Sequence, residues 1–241
     1  MSIPYMASSN TTGSAIAVNS AIALGSSPRP ERPAPIVLTN PMVRYIDTID
    51  EVPEEAEDMM AHLSPEVRAE IESHIDAVRN IVRIRSFGDP SNDIPAPIFP
   101  GRFYLGDARN AMDIDGLNAA HISAILNCAS GSCLTNAEYY GEDFAYHEFD
   151  ARDAGGYDMS QHLDEAVAFY IKCMEERRAI LIHCAAGINR SAFIAIYLYM
   201  VVTGATFTKA VTHCFYQRPI ILTNESFITQ LALVAHRENR L

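Results

Sequence analysis

Residues 179–204, AILIHCAAGINRSAFIAIYLYMVVTG, contain the stretch that decides the fold. The apolar, partly β-branched run at residues 179–182 predicts a buried strand, and the long apolar run after the loop predicts a helix. A strand, a loop of small residues and a helix N-terminus together form a geometry that binds anions. Backbone N–H groups point into such a loop, and the helix dipole adds partial positive charge. The stretch therefore predicts an anion site at the end of a buried strand.

Reactive side chains lie at the two ends of this loop. A thiol at a helix N-terminus beside a cation ionises more readily than a free thiol, so we expect Cys184 to be largely thiolate near neutral pH. Arg190 presents a planar fork of donors that matches two oxygens of a phosphoryl group. Ser191 is placed to donate to the sulfur and make it a better leaving group. The pattern predicts attack of sulfur on phosphorus, with the loop backbone and Arg190 holding the other phosphoryl oxygens.

Two interpretations of Cys184 other than catalysis are also considered. A cysteine that follows a strand is often a small buried hydrophobe. His183 and Cys184 could also be half of a zinc site, but neither a CxxC motif nor a spaced histidine pair accompanies them. The full set of thiol, small loop, arginine and hydroxyl favours catalysis, and we predict neither a metal nor another cofactor.

The loop also resembles a known signature. HCAAGINRS is similar to the HC-x5-R-S/T motif of the cysteine-dependent protein tyrosine phosphatase superfamily, and most closely to the dual-specificity phosphatases, whose loops often read HCxAGxSRSA. PIFPGRFYLGDARNAMD resembles their opening strand, HISAILNCA a second strand with His121 where glycine is common, and QRPIILTNESFITQL their ending. Together these likenesses cover about residues 97–237. The alternation of strands and helices predicts an α/β fold with a mainly parallel central sheet flanked by helices, and an active site at the carboxyl ends of the strands.

The leaving oxygen needs a proton, which a carboxylic acid on a nearby loop should donate. The loop after a predicted strand at residues 144–150 offers Asp150, Asp153 and Asp158 as candidates. Alignment of DMSQHLDEAVAFY with the family helix D-I-S-x-x-F-x-x-A-x-x-F-I implies that Asp153 is the acid, with Asp150 as the alternative. Asp158 and Gln161 match a capping box. The helix they begin is expected to run to about Arg177 and to bury Leu163, Val167, Tyr170 and Met174.

The resemblance implies a two-step reaction through a phosphocysteine intermediate. His183 is interpreted as a residue that orients the loop and tunes the thiolate, with an ordinary buried histidine as the alternative. Asn224 is interpreted as a cap of the last helix that also steadies the end of the preceding one. The residues expected to surround the bound phosphate are Ala185, Ala186, Gly187, Ile188, Asn189 and Arg190.

The loop also indicates a class of substrate. Lipid phosphatases of the superfamily carry basic residues at the variable loop positions, and residues 185–189 contain none, which disfavours phosphoinositides. The Gly-x-Asn-Arg order occurs in RNA triphosphatases too, but the acidic balance of this chain speaks against RNA. The main hypothesis is hydrolysis of phosphotyrosine and of phosphoserine or phosphothreonine on proteins. The open alternatives are a phosphoprotein-binding scaffold and a phosphatase of phosphoinositides or RNA 5′-triphosphates.

Composition and charge set the broad class. The chain has 241 residues, 49% of them hydrophobic and 20% charged, which is enough for one sizeable core. The formal charge of −12 argues against nucleic acid and anionic membranes as partners. The resemblance implies phosphoproteins as substrates. Five cysteines without framework spacing suit a reducing compartment, so we expect the cytoplasm or the nucleus. Cys128, predicted at a strand end beside the loop, is a candidate redox partner of Cys184.

The N-terminal part differs in composition from the rest. Residues 1–35 are predicted to be a disordered Ser- and Pro-rich tail. Residues 36–96 are predicted to be an acidic extension with one amphipathic helix, which begins at Ser64-Pro65 and ends at about Arg85. Its apolar face, comprising Val67, Ile71, Ile75, Val78 and Val82, is expected to pack on the catalytic domain at residues 97–241. A dimer interface and a docking surface for a protein substrate, which would then be the docking partner of the extension, are the alternatives.

Overall fold

The computed structural model describes residues 59–83 and 93–241. The predicted tail at residues 1–35 lies outside the described residues, as do residues 36–58 and 84–92 of the predicted acidic extension. Within the described ranges, helices flank one mixed sheet, as the predicted α/β class requires.

The sheet has five strands in the order β1-β2-β5-β3-β4. The pairs β2/β5, β5/β3 and β3/β4 are parallel, and β1/β2 is antiparallel, so the prediction of a mainly parallel sheet is confirmed. Every residue of the central strand β5 is buried, and this strand leads directly into Cys184. The strands are β1 (Ala96–Phe99), β2 (Phe103–Gly106), β3 (Ile122–Asn127), β4 (Ala145–Glu148) and β5 (Ala179–His183).

The predicted single opening strand is wrong, because PIFPGRFYLG folds as the hairpin β1/β2. Pro100 and Gly101 form the turn between the two strands, and Gly101 has φ +74°. That backbone conformation is one that glycine adopts without strain. The turn is closed by a hydrogen bond from the Arg102 N–H to the Phe99 carbonyl oxygen at 2.9 Å.

Helices lie before, between and after the strands. The helix that follows Cys184 is buried along most of its length, as its uniformly apolar sequence predicts. No helix in residues 59–83 and 93–241 combines the length and the apolar character needed to cross a bilayer. The helices are α1 (Pro65–Arg83), α2 (Ala108–Met112), α3 (Ile114–Ala119), α4 (Ala137–Tyr140), α5 (Leu163–Glu175), α6 (Arg190–Thr203), α7 (Phe207–Gln217) and α8 (Glu225–Arg237), with 3-10 turns at Gly141–Asp143 and Met159–His162.

The amphipathic helix α1 begins and packs as predicted. The Ser64 Oγ accepts a hydrogen bond from the Val67 N–H at 3.4 Å, and Pro65 is the first helical residue. Ile71, Ile75 and Val78 are buried in the core that also contains residues of α7 and α8. Packing of this helix on the sheet-containing part of the chain is therefore confirmed.

The helix before β5 departs from the prediction at its start and along its face. Asp158 caps a 3-10 turn through the Ser160 N–H at 2.9 Å, and α5 begins only at Leu163. Gln161 donates to the Asp158 carbonyl oxygen at 2.6 Å instead of accepting from the Asp158 N–H, so no capping box forms. Val167 and Met174, which are predicted to be buried, are only half-buried. The buried residues of α5 are Leu163, Ala166, Phe169, Tyr170 and Cys173.

Candidate active site

The Cys184 loop (residues 184–189) connects the buried strand β5 to helix α6. Its flanks are the carboxyl ends of β2 and β3, since Gly106 and Asn127 are both register partners of His183. Cys184 is buried at the base of the loop, whereas Ala185 and Ala186 are exposed at its rim. The sheet therefore presents the loop at its carboxyl edge, where α/β proteins bind ligands.

Two donors point at the sulfur of Cys184. The Gly187 N–H and the Ser191 hydroxyl each lie 3.2 Å from Sγ. Both hydrogen bonds stabilise negative charge on sulfur, in the attacking thiolate and again when sulfur departs. The Ser191 contact is the one that the sequence predicts.

Gly187 occupies a position that a side chain would disrupt. Its φ is +69°, and a Cβ there would lie 2.6 Å from both the Gly106 carbonyl oxygen and Arg218 Nη2. The close approach of the two backbone segments thus depends on the missing side chain.

Gly187→Ala is expected to lower the free energy of unfolding more than Gly204→Ala does. Gly204 has φ +73°, and a Cβ at that position would meet no atom within 4 Å, so it shares the backbone strain without the overlap. The strain costs about 1–2 kcal/mol at either position, and the overlap at Gly187 should add about 1–3 kcal/mol. Urea unfolding of both variants measures the difference, and equal losses would show that the overlap is relieved without cost.

Arg218 supports the outer side of the loop, and neither it nor Asp107 is predicted from the sequence. Its Nε donates to the Gly187 carbonyl oxygen at 2.9 Å and its Nη2 to that of Ala186 at 3.2 Å. Asp107, buried at the N-cap of α2, pairs with Nη2 at 3.5 Å. Because a trans peptide directs its C=O and N–H in opposite directions, these contacts turn the N–H groups of Gly187 and Ile188 toward the inside of the loop.

Arg190, the first residue of α6, retains hydrogen-bonding capacity. It is buried, its Nη1 donates to the Ala151 carbonyl oxygen at 3.2 Å, and its Nε has no hydrogen-bond partner within the described residues. A buried guanidinium with an unused donor beside inward-facing N–H groups suits an anion.

His183 is fully buried at the end of β5. Burial lowers the pKa of His183 to about 4, although the backbone of Cys184 and the charge of Asp107 act in the opposite direction. The imidazole is therefore neutral near pH 7. An influence of His183 on the thiolate would come from packing and dipoles, whereas Arg190 supplies the full positive charge.

Asp153 is the candidate acid that reaches the Cys184 loop. Asn189 Nδ2 lies 3.2 and 3.1 Å from its two carboxylate oxygens, and Asn224 Nδ2 lies 3.0 Å from Oδ1. Asp150 is exposed and accepts from the Gly131 N–H at 3.0 Å, while Asp158 caps the 3-10 turn. Of the three candidates, only Asp153 is held beside the loop.

The side chain of Asn189 departs from its predicted use, whereas that of Asn224 keeps its predicted use and makes a further contact. The sequence places Asn189 among the residues around phosphate, but its side chain is 2% exposed and turned away toward Asp153. Its Oδ1 accepts from the backbone N–H groups of Thr223 at 2.8 Å and Asn224 at 3.1 Å. Asn224 caps α8 through the Ser226 N–H at 3.1 Å, which confirms the predicted cap. Its contact with Asp153 is not predicted from the sequence.

Helix α8 also holds the rest of the Asp153 loop (residues 150–158). The Ser226 hydroxyl donates to the Gly155 carbonyl oxygen. Gln230 accepts from the Met159 N–H and donates to the Tyr157 carbonyl oxygen, both at 2.8 Å. Together with the contact of Asn224 to Asp153, these bonds connect the start of α8 to the loop at three points.

Cys128 follows β3 and lies beside β5, as predicted. Its N–H donates to the His183 carbonyl oxygen at 2.8 Å. Burial, followed by the proximity of Cys184, raises the pKa of the Cys128 thiol well above its ordinary value, so it stays protonated near neutral pH. Pairing of Cys128 with Cys184 under oxidation stays a prediction.

Comparison with known proteins yields one consistent family. The family profile described as "Dual specificity phosphatase, catalytic domain" matches residues 103–237. MAP kinase phosphatase with leucine-rich repeats protein 3 of Dictyostelium discoideum is 36% identical over 141 residues, which cover 57% of this chain and 16% of that protein. Dual specificity protein phosphatase 22-A of Danio rerio is 32% identical over 128 residues, which cover 53% of this chain and 59% of that protein.

The solved structures agree with the sequence relatives. The crystal structure of DUSP15 superimposes with a TM-score of 0.55 at 25% identity and covers 61% of this chain and 91% of that one. The chain spans 16% and 59% of the length of the two curated relatives. The matched profile extends over more than half of the sequence and includes Cys184, Arg190 and Asp153. The chain therefore belongs to the dual specificity phosphatase family.

Proposed function

We propose that this chain is a cysteine-dependent protein phosphatase that hydrolyses phosphotyrosine and phosphoserine or phosphothreonine on proteins. The observation that carries the proposal is the arrangement around one sulfur atom. Gly187 and Ser191 donate to Cys184 Sγ at 3.2 Å, and Arg190 lies at the other end of the same loop. Asp153 is held against that loop by Asn189.

The first step transfers the phosphoryl group to sulfur. The Cys184 thiolate uses an electron pair to form the S–P bond, and the bond between phosphorus and the substrate oxygen breaks. Asp153, in its protonated form, gives its proton to that departing oxygen. The inward N–H groups of the loop and the Arg190 guanidinium bind the three remaining phosphoryl oxygens as their charge redistributes.

The second step returns the enzyme to its starting state. Asp153, now a carboxylate, takes a proton from water while the water oxygen attacks phosphorus. The S–P bond breaks, the electron pair returns to Cys184, and inorganic phosphate leaves. The Ser191 hydroxyl stabilises the departing thiolate through its hydrogen bond to Sγ. No step requires an additional cofactor.

The rim of the loop supports a protein substrate over the alternatives. Its exposed residues are Ala185 and Ala186, which offer no cation to a second phosphate of an inositol lipid or a 5′-triphosphate. Retention of thiol, arginine and carboxylate supports turnover over a scaffold that only binds phosphoproteins.

We further propose the division predicted from the sequence: a tail at residues 1–35, an extension at residues 36–96 that also docks a protein partner, and a catalytic domain at residues 97–241.

The test compares substrate classes with the purified full chain. We expect phosphate release from peptides that carry phosphotyrosine and from peptides that carry phosphothreonine. We expect much slower release from a phosphoinositide in mixed micelles and from a 5′-triphosphorylated RNA oligonucleotide. Turnover restricted to the lipid or to the RNA would overturn the protein-phosphatase proposal, and phosphopeptide binding without turnover would place the chain among scaffolds.

A further inference from the structure

Helix α1 is joined to the N-terminus of helix α8 by an ion pair, and we propose that this pair positions the catalytic acid. In this inference Arg79 is a positioning residue that acts through Glu225 on the Asp153 loop. The proposal rests on the proposed function, since it requires Asp153 to be the proton donor.

Helix α1 lies outside the part of the chain that defines the family, because Pro65–Arg83 precedes the profile match at residues 103–237. It is nevertheless fixed to the catalytic core. Ile71, Ile75 and Val78 are at most 2% exposed. His74 Nδ1 also lies 3.5 Å from the Thr208 hydroxyl of α7. An element added to the family domain thus packs against the two last helices.

Arg79 makes the shortest polar contact between α1 and α8. Its Nε lies 2.7 Å from Glu225 Oε2, and the two side chains are 20% and 17% exposed. Its Nη1 also pairs with Asp76, whose side chain is 67% exposed, at 2.9 Å. Arg83 is farther from Glu225, at 3.8 Å. Partial exclusion of water strengthens the Arg79–Glu225 pair relative to the exposed pair with Asp76.

Glu225 lies between the two residues that hold the Asp153 loop. It is the first residue of α8, Asn224 before it donates to Asp153, and Ser226 after it donates to the Gly155 carbonyl oxygen. Three consecutive residues in a capped helix start share one backbone arrangement, so a shift of Glu225 would move both donors. Arg79 therefore restrains the frame in which Asp153 is oriented.

The experiment measures kcat/KM for the wild type, Arg79→Gln, Glu225→Gln and the double variant on two substrates. A phosphotyrosine peptide needs protonation of its leaving oxygen, whereas an electron-poor aryl phosphate does not. Because kcat/KM covers binding and the steps up to departure of the leaving group, a loss on the peptide that is absent on the aryl ester reports proton donation. We expect each single variant to lose about threefold to tenfold on the peptide and to stay within about twofold on the aryl ester. The double variant should lose no more than either single one.

Two further measurements separate positioning from loss of structure. Asp76→Asn, which removes the other partner of Arg79, is the matched control and should keep wild-type kcat/KM on both substrates. The rate of Cys184 alkylation by iodoacetamide should be equal in all variants, because none of the substituted side chains makes a hydrogen bond or an ion pair with residues 184–189. Equal losses on both substrates, additive losses in the double variant, or no loss at all would each overturn the inference. A wild-type chain without turnover would instead overturn the proposed function.

Discussion

Cys184→Ser is expected to lower phosphate release by roughly 10³-fold or more on every substrate while leaving phosphopeptide binding intact. Serine keeps the shape of cysteine, and its hydroxyl could still receive the N–H of Gly187 and the hydroxyl of Ser191, which now point at Sγ. An alcohol near neutral pH is a far weaker nucleophile than a thiolate, and an alkoxide is a poorer leaving group. Neither step can therefore proceed at a useful rate.

The measurement combines phosphate release with peptide affinity by fluorescence anisotropy. Cys173→Ala is the matched control, since Cys173 is also a buried thiol but lies in α5 away from the Cys184 loop. We expect it to retain wild-type turnover. A Cys184→Ser variant that kept more than a tenth of the activity would assign the nucleophile to another group. Rapid acid quenching of the wild type should trap a phosphorylated Cys184, which the variant lacks.

Much of the fold follows from local patterns in the chain. The apolar run before Cys184 predicts β5, and the uniformly apolar run after Ser191 predicts the buried α6, because burial on all sides leaves no polar face. At His121 the structure gives the physical reason for a feature of the family pattern. It replaces a common glycine, and its φ of +56° explains why the position favours a residue without a side chain.

The long-range hydrogen bonds that hold the site in place could not be predicted in the same way. Arg218 and the carbonyl of Gly187 are 31 residues apart, and Asn224 and Asp153 are 71 apart. No local periodicity connects residues at such separations. Sequence identifies Asn189 as carrying one donor group and one acceptor, but only the fold decides that both face Asp153 and residues 223–224 instead of a phosphate.

Helix α1 shows the same limit of prediction from sequence for the packing of a whole helix. The spacing of its apolar residues predicts a face that must be covered, and the structure confirms that the catalytic core covers it. The pairing of Arg79 with Glu225, 146 residues away, depends on the angle at which α1 crosses α8. Such an angle emerges from the packing of complete helices and is not encoded in either segment alone.

The second large effect is expected for Asp153→Ala, which should lower kcat/KM on a phosphotyrosine peptide by about 10²–10⁴-fold. Alanine is preferable to asparagine here, because the amide groups of Asn189 and Asn224 already point donors at both sides of the carboxylate. An asparagine would face them with a further donor and could displace the loop. On an electron-poor aryl phosphate, kcat/KM should fall far less, since its leaving group departs without a proton.

Variants of Asp150, the alternative acid, and of Asp158, the cap of the 3-10 turn, provide the controls. Asp150→Asn removes the alternative proton donor, and Asp158→Asn keeps a side chain that caps helix starts as well as aspartate does. Both variants should retain wild-type kcat/KM on both substrates. A leaving-group-dependent loss in Asp150→Asn, with none in Asp153→Ala, would transfer the assignment to Asp150.

The two roles of Asp153 can also be separated within one variant. With the aryl ester, Asp153→Ala should form the phosphocysteine at a rate near that of the wild type, but without the carboxylate no base activates water for the second step. Stopped-flow kinetics should then show a burst of released phenol that matches the enzyme concentration, followed by slow turnover. A variant that releases phenol without a burst, at the wild-type steady rate, would show that water attacks phosphorus without help from Asp153. The second half of the proposed mechanism would then be wrong even though the first half stood.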